Sequence, residues 1–204
     1  VKGAGSRDVI FGVGRGNLNV AGGDGDELVA PGSMNLTYVG GNGGSTVFGG
    51  QGSDTAAAGA GGGFIVGGAS GKNVLTGGNG SGTTTLFGGG DGDLLVARGF
   101  SKTTLIASTG NATLTGAASS ADNIYYALAG GNTVLQGGSG ADIFGAVTIR
   151  NFNGAEKITL QGYAAGEANR ALAAASGTPG NLVLSDGTKV NFLGATQLNA
   201  GSFI

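Results

Sequence analysis

The chain has 204 residues and a net charge of -2, with only 11 % charged residues and 48 glycines against 2 prolines. It has no basic stripe to neutralise phosphates, which argues against a nucleic-acid partner, and the absence of Cys and His removes disulfides, most zinc chemistry and the common catalytic dyads. No apolar run approaches the ~20 residues that cross a bilayer, two prolines are too few for collagen, and 40 % hydrophobic residues is too many for a disordered linker.

From its first residues the chain carries repeat-like sequence, with GAGSRDVIF running to Phe11. Opening at Val1 inside that pattern, with no visible signal peptide, it reads as a processed product or the tail of something longer. Gly22 then opens GGDGDELVA, Gly40 opens GGNGGSTVF, and Gly49 follows nine residues later with GGQGSDTAA. A worn unit begins at Ala58, Gly67 opens GGASGKNVL, and Gly77 opens a stretched unit. Gly89 opens GGDGDLLVA, a near-copy of the unit at Gly22. Units without the double glycine start at Arg98 and Ala107, and Gly137 opens GGSGADIFG.

Such a period implies a repeat architecture. Each unit is one tight glycine turn followed by one short strand, and alternation along the strand points its eighth position inward. That position is held by Val29, Val47, Ile65, Val74, Leu86, Val96, Leu105 and Leu114, and later by Val134 and Phe144. Two units make one coil. The expectation is an all-β fold: a right-handed parallel β-roll or β-solenoid over residues 1–145, clearest from residue 12, with roughly seven coils spanning about 35 Å. Residues 146–204 are expected to form a small α/β cap. Within it, Ala164 to Ala175 reads as a helix stopped by Gly177 and Pro179, followed by a hairpin about Asp186-Gly187 and an apolar tail ending at Phe203 and Ile204.

These units follow the pattern G-G-x-G-x-D-x-U-x, in which U is a large apolar residue, and they resemble the haemolysin-type calcium-binding (RTX) repeats of bacterial proteins over roughly Gly12 to Gly145. The stretch ADIFGAVTIRNFNGAEKITLQGY looks like the junction that follows such arrays, and LVLSDGTKVNFLGATQLNAGSFI is similar to the C-terminal ends of type I secreted proteins. The resemblance implies an extracellular or cell-surface bacterial protein that binds Ca²⁺ through the Asp at position six and through turn carbonyls. Here position six is Asp only at Asp54 and Asp142; elsewhere it is Glu27, Ser45, Gly63, Lys72, Gly82 or Leu94. Asp24, Asp26, Asp91 and Asp93 complete the candidate metal ligands. Calcium needs several oxygens per ion, so the expectation is none to two weakly held ions. Lys72 stands one eighteen-residue coil after Asp54, which predicts an ammonium in a degenerate calcium position or an ordinary exposed pair.

Other motifs carry less. Asp24 with Asp26, or Asp91 with Asp93, could serve as a glycosidase pair, but no aromatic cluster accompanies them. Gly12-Val13-Gly14-Arg15-Gly16 lacks the helix that a dinucleotide loop needs, and Asn73 stands where a phosphate loop after Gly71-Lys72 needs Ser or Thr. Thr46, Thr85, Thr104, Thr113 and Thr133 form an outward set that reads as ordinary β-surface rather than an ice-binding array. The functional expectation is a non-enzymatic structural protein of the bacterial exterior, in a fibre, surface layer, biofilm or adhesin. Self-association through an open N-terminal coil is expected, and cell-surface polysaccharide is a candidate partner. The alternatives are the secretion and folding tail of an exported protease or lipase, or a small carbohydrate-active enzyme.

Overall fold

A computed structural model describes residues 1–3, 7–108, 110–127, 133–140, 163–175, 181–185, 189–191 and 198–203. The first strands are β1 (Val9–Phe11), β2 (Arg15–Ala21), β3 (Glu27–Val29), β4 (Ser33–Val39), β5 (Ser45–Phe48), β6 (Thr55–Ala57) and β7 (Gly63–Val66). They continue as β8 (Val74–Thr76), β9 (Thr84–Phe87), β10 (Asp93–Gly99), β11 (Thr103–Ala107), β12 (Ala112–Ser119), β13 (Ile124–Ala127) and β14 (Thr133–Gln136). Odd-numbered strands stack in one seven-stranded sheet and even-numbered strands in another. Every pairing within these two sheets is parallel. The chain therefore alternates between two sheets as it climbs, giving a parallel β-solenoid of about six turns.

Between the sheets lies a narrow core built from residues in register. Leu28, Val47, Ile65, Leu86, Leu105 and Tyr125 are buried in one column, and Tyr38, Ala56, Leu75, Leu95 and Leu114 in the facing one. Strands of three or four residues offer one or two inward side chains each, so the core exists only because neighbouring coils stack and pool them.

Five of the residues expected to point inward do so: Val47, Ile65, Leu86, Leu105 and Leu114 are buried. Val29, Val74, Val96 and Val134 do not, because the neighbouring Leu28, Leu75, Leu95 and Leu135 take the inward place. Phe144 lies outside the described residues. The cause is an uneven coil length: Tyr38 pairs with Ala56 and Val47 with Ile65 eighteen residues on, but Leu28 pairs with Val47 and Ala56 with Leu75 nineteen residues on. A fixed nine-residue count then slips by one, and a one-residue slip exchanges the faces of a strand.

Glycine at the end of a strand has a specific reason. A Cβ on Gly88 would stand 2.7 Å from Asp93 Oδ2, and one on Gly67 would stand 2.8 Å from the Asn73 side-chain carbon. The turn closes over a buried polar side chain, and only glycine leaves room for it.

The described C-terminal elements are helix α1 (Glu167–Ala174), an antiparallel hairpin of β15 (Asn181–Val183) and β16 (Lys189–Asn191), and a 3₁₀ turn at Ala200–Ser202. The expected helix is shorter at its start than Ala164, and the hairpin falls where the sequence placed it, its tip about Asp186-Gly187 lying outside the described residues. No helix among the described residues is long and apolar enough to cross a membrane.

Candidate functional site

The acidic residues sit at the two edges of the solenoid, where turns enter strands. At the edge leading into the odd-numbered strands, Asp26, Ser45, Thr84, Thr103 and Asn123 are buried and stack in register. At the opposite edge, Asp54, Asn73 and Asp93 are buried in successive coils. Burying polar groups is costly unless they are hydrogen-bonded; the Asp and Asn oxygens here meet backbone amides, Thr103 Oγ1 donates to the Ser101 carbonyl, and Ser45 Oγ has no partner.

One geometry recurs. A side-chain oxygen accepts the backbone N–H of the residue one coil earlier: Asp26 Oδ1 from Asp8 at 3.1 Å, Asp54 Oδ1 from Leu36 at 2.9 Å, and Asn73 Oδ1 from Asp54 at 3.0 Å. Asp93 Oδ1 likewise accepts from Asn73 at 2.9 Å, and Asn123 Oδ1 from Thr103 at 3.1 Å. The same side chains also hold the turn that precedes them. Gly23 donates to Asp26 Oδ2 at 2.5 Å, Gly90 to Asp93 Oδ2 at 2.9 Å, and Gly68 to Asn73 Oδ1 at 3.0 Å.

The two near-identical GGDGD stretches make the same turn on opposite edges. Their middle glycines, Gly25 and Gly92, have φ of 84° and 82°, the left-handed region that favours glycine. The first aspartate of each reaches forward along the rod: Asp24 Oδ1 accepts from Asn42 and Gly43 at 2.9 and 3.1 Å, and Asp91 Oδ1 accepts from Asn111 at 2.6 Å. The second aspartate, Asp26 or Asp93, reaches back to the preceding coil. Each DGD thus ties three consecutive coils together.

The described carboxylates do not gather in groups of three or more as candidate calcium ligands. A cation needs six to eight oxygens directed at it, whereas amide hydrogens point at the oxygens of Asp26 and Asp93 and at Oδ1 of Asp24, Asp54 and Asp91. Asp24 and Asp91 are exposed but lie on opposite edges, so they cannot share an ion. Among the described residues no group of three or more acidic, His or Cys side chains could hold a metal. Asp142 lies outside the described residues.

Lys72 does not pair with Asp54. The residue one coil above Asp54 is Asn73, and Lys72 is exposed with its aliphatic stem near Gly92. Asp54 Oδ2 is buried without a hydrogen-bond partner, since the nearby Gly68 amide gives its hydrogen to Asn73 Oδ1. Burial pushes the Asp54 carboxyl above the usual carboxylate range, the Leu36 amide and the nearby Gly68 amide oppose this, and the Asp93 charge adds to it. The roles of Asn73, Thr84, Thr103 and Asn123 were missed by the repeat reading. Their signal is a polar residue immediately before, or opening, each short strand.

The threonine set divides. Thr46, Thr85 and Thr104 share one outward column of the odd-numbered sheet, interrupted by Phe64, while Thr113 lies on the other sheet and Thr133 is half-buried. In the C-terminal elements, Glu167 accepts from Arg170 Nη2 at 2.5 Å and from the Ser185 amide at 2.6 Å, joining α1 to the segment after β15. The Arg170 hydrogen bond holds the Glu167 carboxyl below its usual range, against the effect of burial and with the help of Ser185.

No family model matches the chain, and neither the curated proteins nor the solved structures contain a significant match. Fold and edge geometry define the class: a parallel β-solenoid held at its edges by buried polar ladders.

Proposed function

We propose that the chain is a non-enzymatic structural part of an exported bacterial protein, an RTX-like roll in which hydrogen bonds between coils have taken over the work of calcium. The observation that carries this reading is the use of the carboxylates. Asp26 and Asp93 sit at position five of the two GGDGD repeats, one place before the position that carries the aspartate in the repeats they resemble, and each spends both oxygens on backbone amides of its own turn and the preceding coil. An acid-rich array needs an ion to offset repulsion between carboxylates. Here the column Asp54–Asn73–Asp93 separates its two acids with a neutral amide that donates to one and accepts from the other's backbone. A rod made this way stands without metal, and its low charge gives little repulsion between copies, which suits a fibre, layer or matrix component.

The test is circular dichroism and thermal unfolding of the full chain in excess chelator and in added calcium. Coincident spectra and melting curves support the reading. A loss of β-structure in chelator, restored by calcium, would overturn it and return the chain to the ion-dependent rolls it resembles.

A further inference from the structure

The outer faces of the two sheets differ in chemistry. All outward aromatic residues of the described solenoid strands lie on the odd-numbered sheet; the even-numbered sheet carries none. In register along that one face, Phe11, Phe48, Phe87 and Tyr126 alternate with Val29, Val66 and Ile106. Phe11, on the end strand with Val29 on one side only, is 68 % exposed, and Phe48 is 37 % exposed although Val29 and Val66 flank it. Phe64, in the adjacent column, packs edge-on against Phe48 with ring centroids 5.9 Å apart. Glu27 is the single charged side chain in these two columns.

We infer that this face is the docking surface for a second copy of the chain, laid antiparallel and displaced by one coil. The inference rests on the reading of the chain as a self-associating rod and names the surface involved. Large and small residues alternate coil by coil, so the column is a row of ridges and notches with a two-coil period. A second copy turned about an axis along the strands presents the same column to it. Displaced by one coil, it places Phe87 of one copy against Val66 of the other, Phe48 against Ile106, and Tyr126 against Val29. Alternation of this kind lets two faces interdigitate, and sheets pack face to face about 10 Å apart.

The size of the face sets the strength. Displaced by one coil, the copies overlap over six strands about 4.8 Å apart, and with two outward columns the footprint is about 29 by 13 Å, so a pair buries on the order of 800 Å². That is below the standard size of a stable interface, and it calls for a weak, concentration-dependent dimer. Rings held beside aliphatic neighbours of adjacent coils lose little freedom on docking, which favours association. Aromatic enrichment with depletion of charge is the composition of an interface centre.

Sedimentation or light scattering of the full chain over about 1 to 300 µM reads the association, a range suited to an interface of this size. The wild type is expected to pass from monomer to dimer. Phe48→Thr with Phe87→Thr is expected to weaken the dimer at least tenfold with an unchanged circular dichroism spectrum, since threonine already occupies the neighbouring column at Thr46, Thr85 and Thr104. Val66→Asp, near the twofold axis, is the independent second variant and is expected to give the same loss. Val39→Thr with Val96→Thr, on the outer face of the other sheet, is the control and should leave the dimer intact. A dimer that survives the phenylalanine and Val66 variants places association elsewhere and overturns the inference while leaving the self-associating reading in place. A wild type that stays monomeric throughout overturns both. A monomer retained on insoluble polysaccharide through Phe48 and Phe87 also overturns it, assigning the aromatic face to a glycan.

Discussion

Asn73 and Asp93 stand one coil apart, and Asp93 Oδ1 accepts both the backbone N–H and the side-chain Nδ2 of Asn73, at 2.9 and 2.8 Å. The asparagine faces both ways along the rod, because its own Oδ1 takes the Asp54 and Gly68 amides. A carboxylate can only accept and an amide can do both, so the order Asp–Asn–Asp is a directional ladder whose members are not interchangeable.

The first expected outcome follows at Asp93. Its Oδ1 receives two donors and its Oδ2 receives the Gly90 amide at 2.9 Å. In Asp93→Asn, either oxygen replaced by NH₂ would point hydrogens at another donor. The loss expected from denaturant unfolding is about 1–3 kcal/mol, the range for a buried group left unsatisfied. An Asp93→Asn protein as stable as wild type would show that the site tolerates a donor and that the ladder has no direction.

A second outcome concerns register. Leu75 is completely buried, while Val74 beside it is 38 % exposed on the outer face. Leu75→Ala should cost about 2–5 kcal/mol as a core truncation, and Val74→Ala about 0.5 kcal/mol or less as a surface change. Thermal or chemical unfolding of the pair decides it. The reverse ranking would restore the fixed nine-residue count and displace every inward residue of β8.

Legibility in the sequence was uneven, for physical reasons. The solenoid could be read because glycine turns and one apolar residue per strand recur even where the motif is worn, as at Leu105 and Leu114. The face could not be read wherever two apolar residues stand side by side: Leu28-Val29, Val74-Leu75 and Leu95-Val96 each satisfy an inward requirement in either register. The carboxylates were recognised as belonging to the turns, but spacing alone does not say whether an aspartate oxygen faces a cation or an amide hydrogen. That depends on coil length, and insertions such as the one between Gly63 and Thr84 change what lies above each residue. Asn73, which has the most hydrogen bonds in the ladder, looked like a repeat position of no consequence.

The C-terminal ion pair gives a third outcome. Glu167 is held in its charged form first by Arg170, with the Ser185 amide adding to it. A carboxyl lowered in the folded state contributes stability above its unfolded pKa, and that contribution is lost as pH falls through the folded value. The Ser185 amide resonance should therefore shift with pH, with a midpoint below the ordinary glutamate value of about 4.3. In Glu167→Gln that titration should vanish. A midpoint at or above the ordinary value would mean that Arg170 and Ser185 do not hold the carboxylate in solution.

Asp54 gives the opposite sign. Burial raises its pKa in the fold, so over the window from the ordinary aspartate value of about 3.9 up to the raised one, the folded chain holds a proton that the unfolded chain has released. Stability then falls as pH rises through that window and levels off above it. Asp54→Asn removes the charge at every pH and keeps an oxygen for the Leu36 amide, the geometry Asn73 already adopts one coil above. The variant should match wild type near pH 4 and equal or exceed its melting temperature at pH 7. Asp54→Ala, which leaves the Leu36 amide unpaired, should lose about 1–3 kcal/mol at both pH values. Urea unfolding of the three proteins across pH 4 to 8 separates the effects. If Asp54→Asn were as unstable as Asp54→Ala at pH 7, Oδ2 would have to accept a hydrogen bond in the fold, and the buried carboxyl would be held by its charge rather than penalised for it.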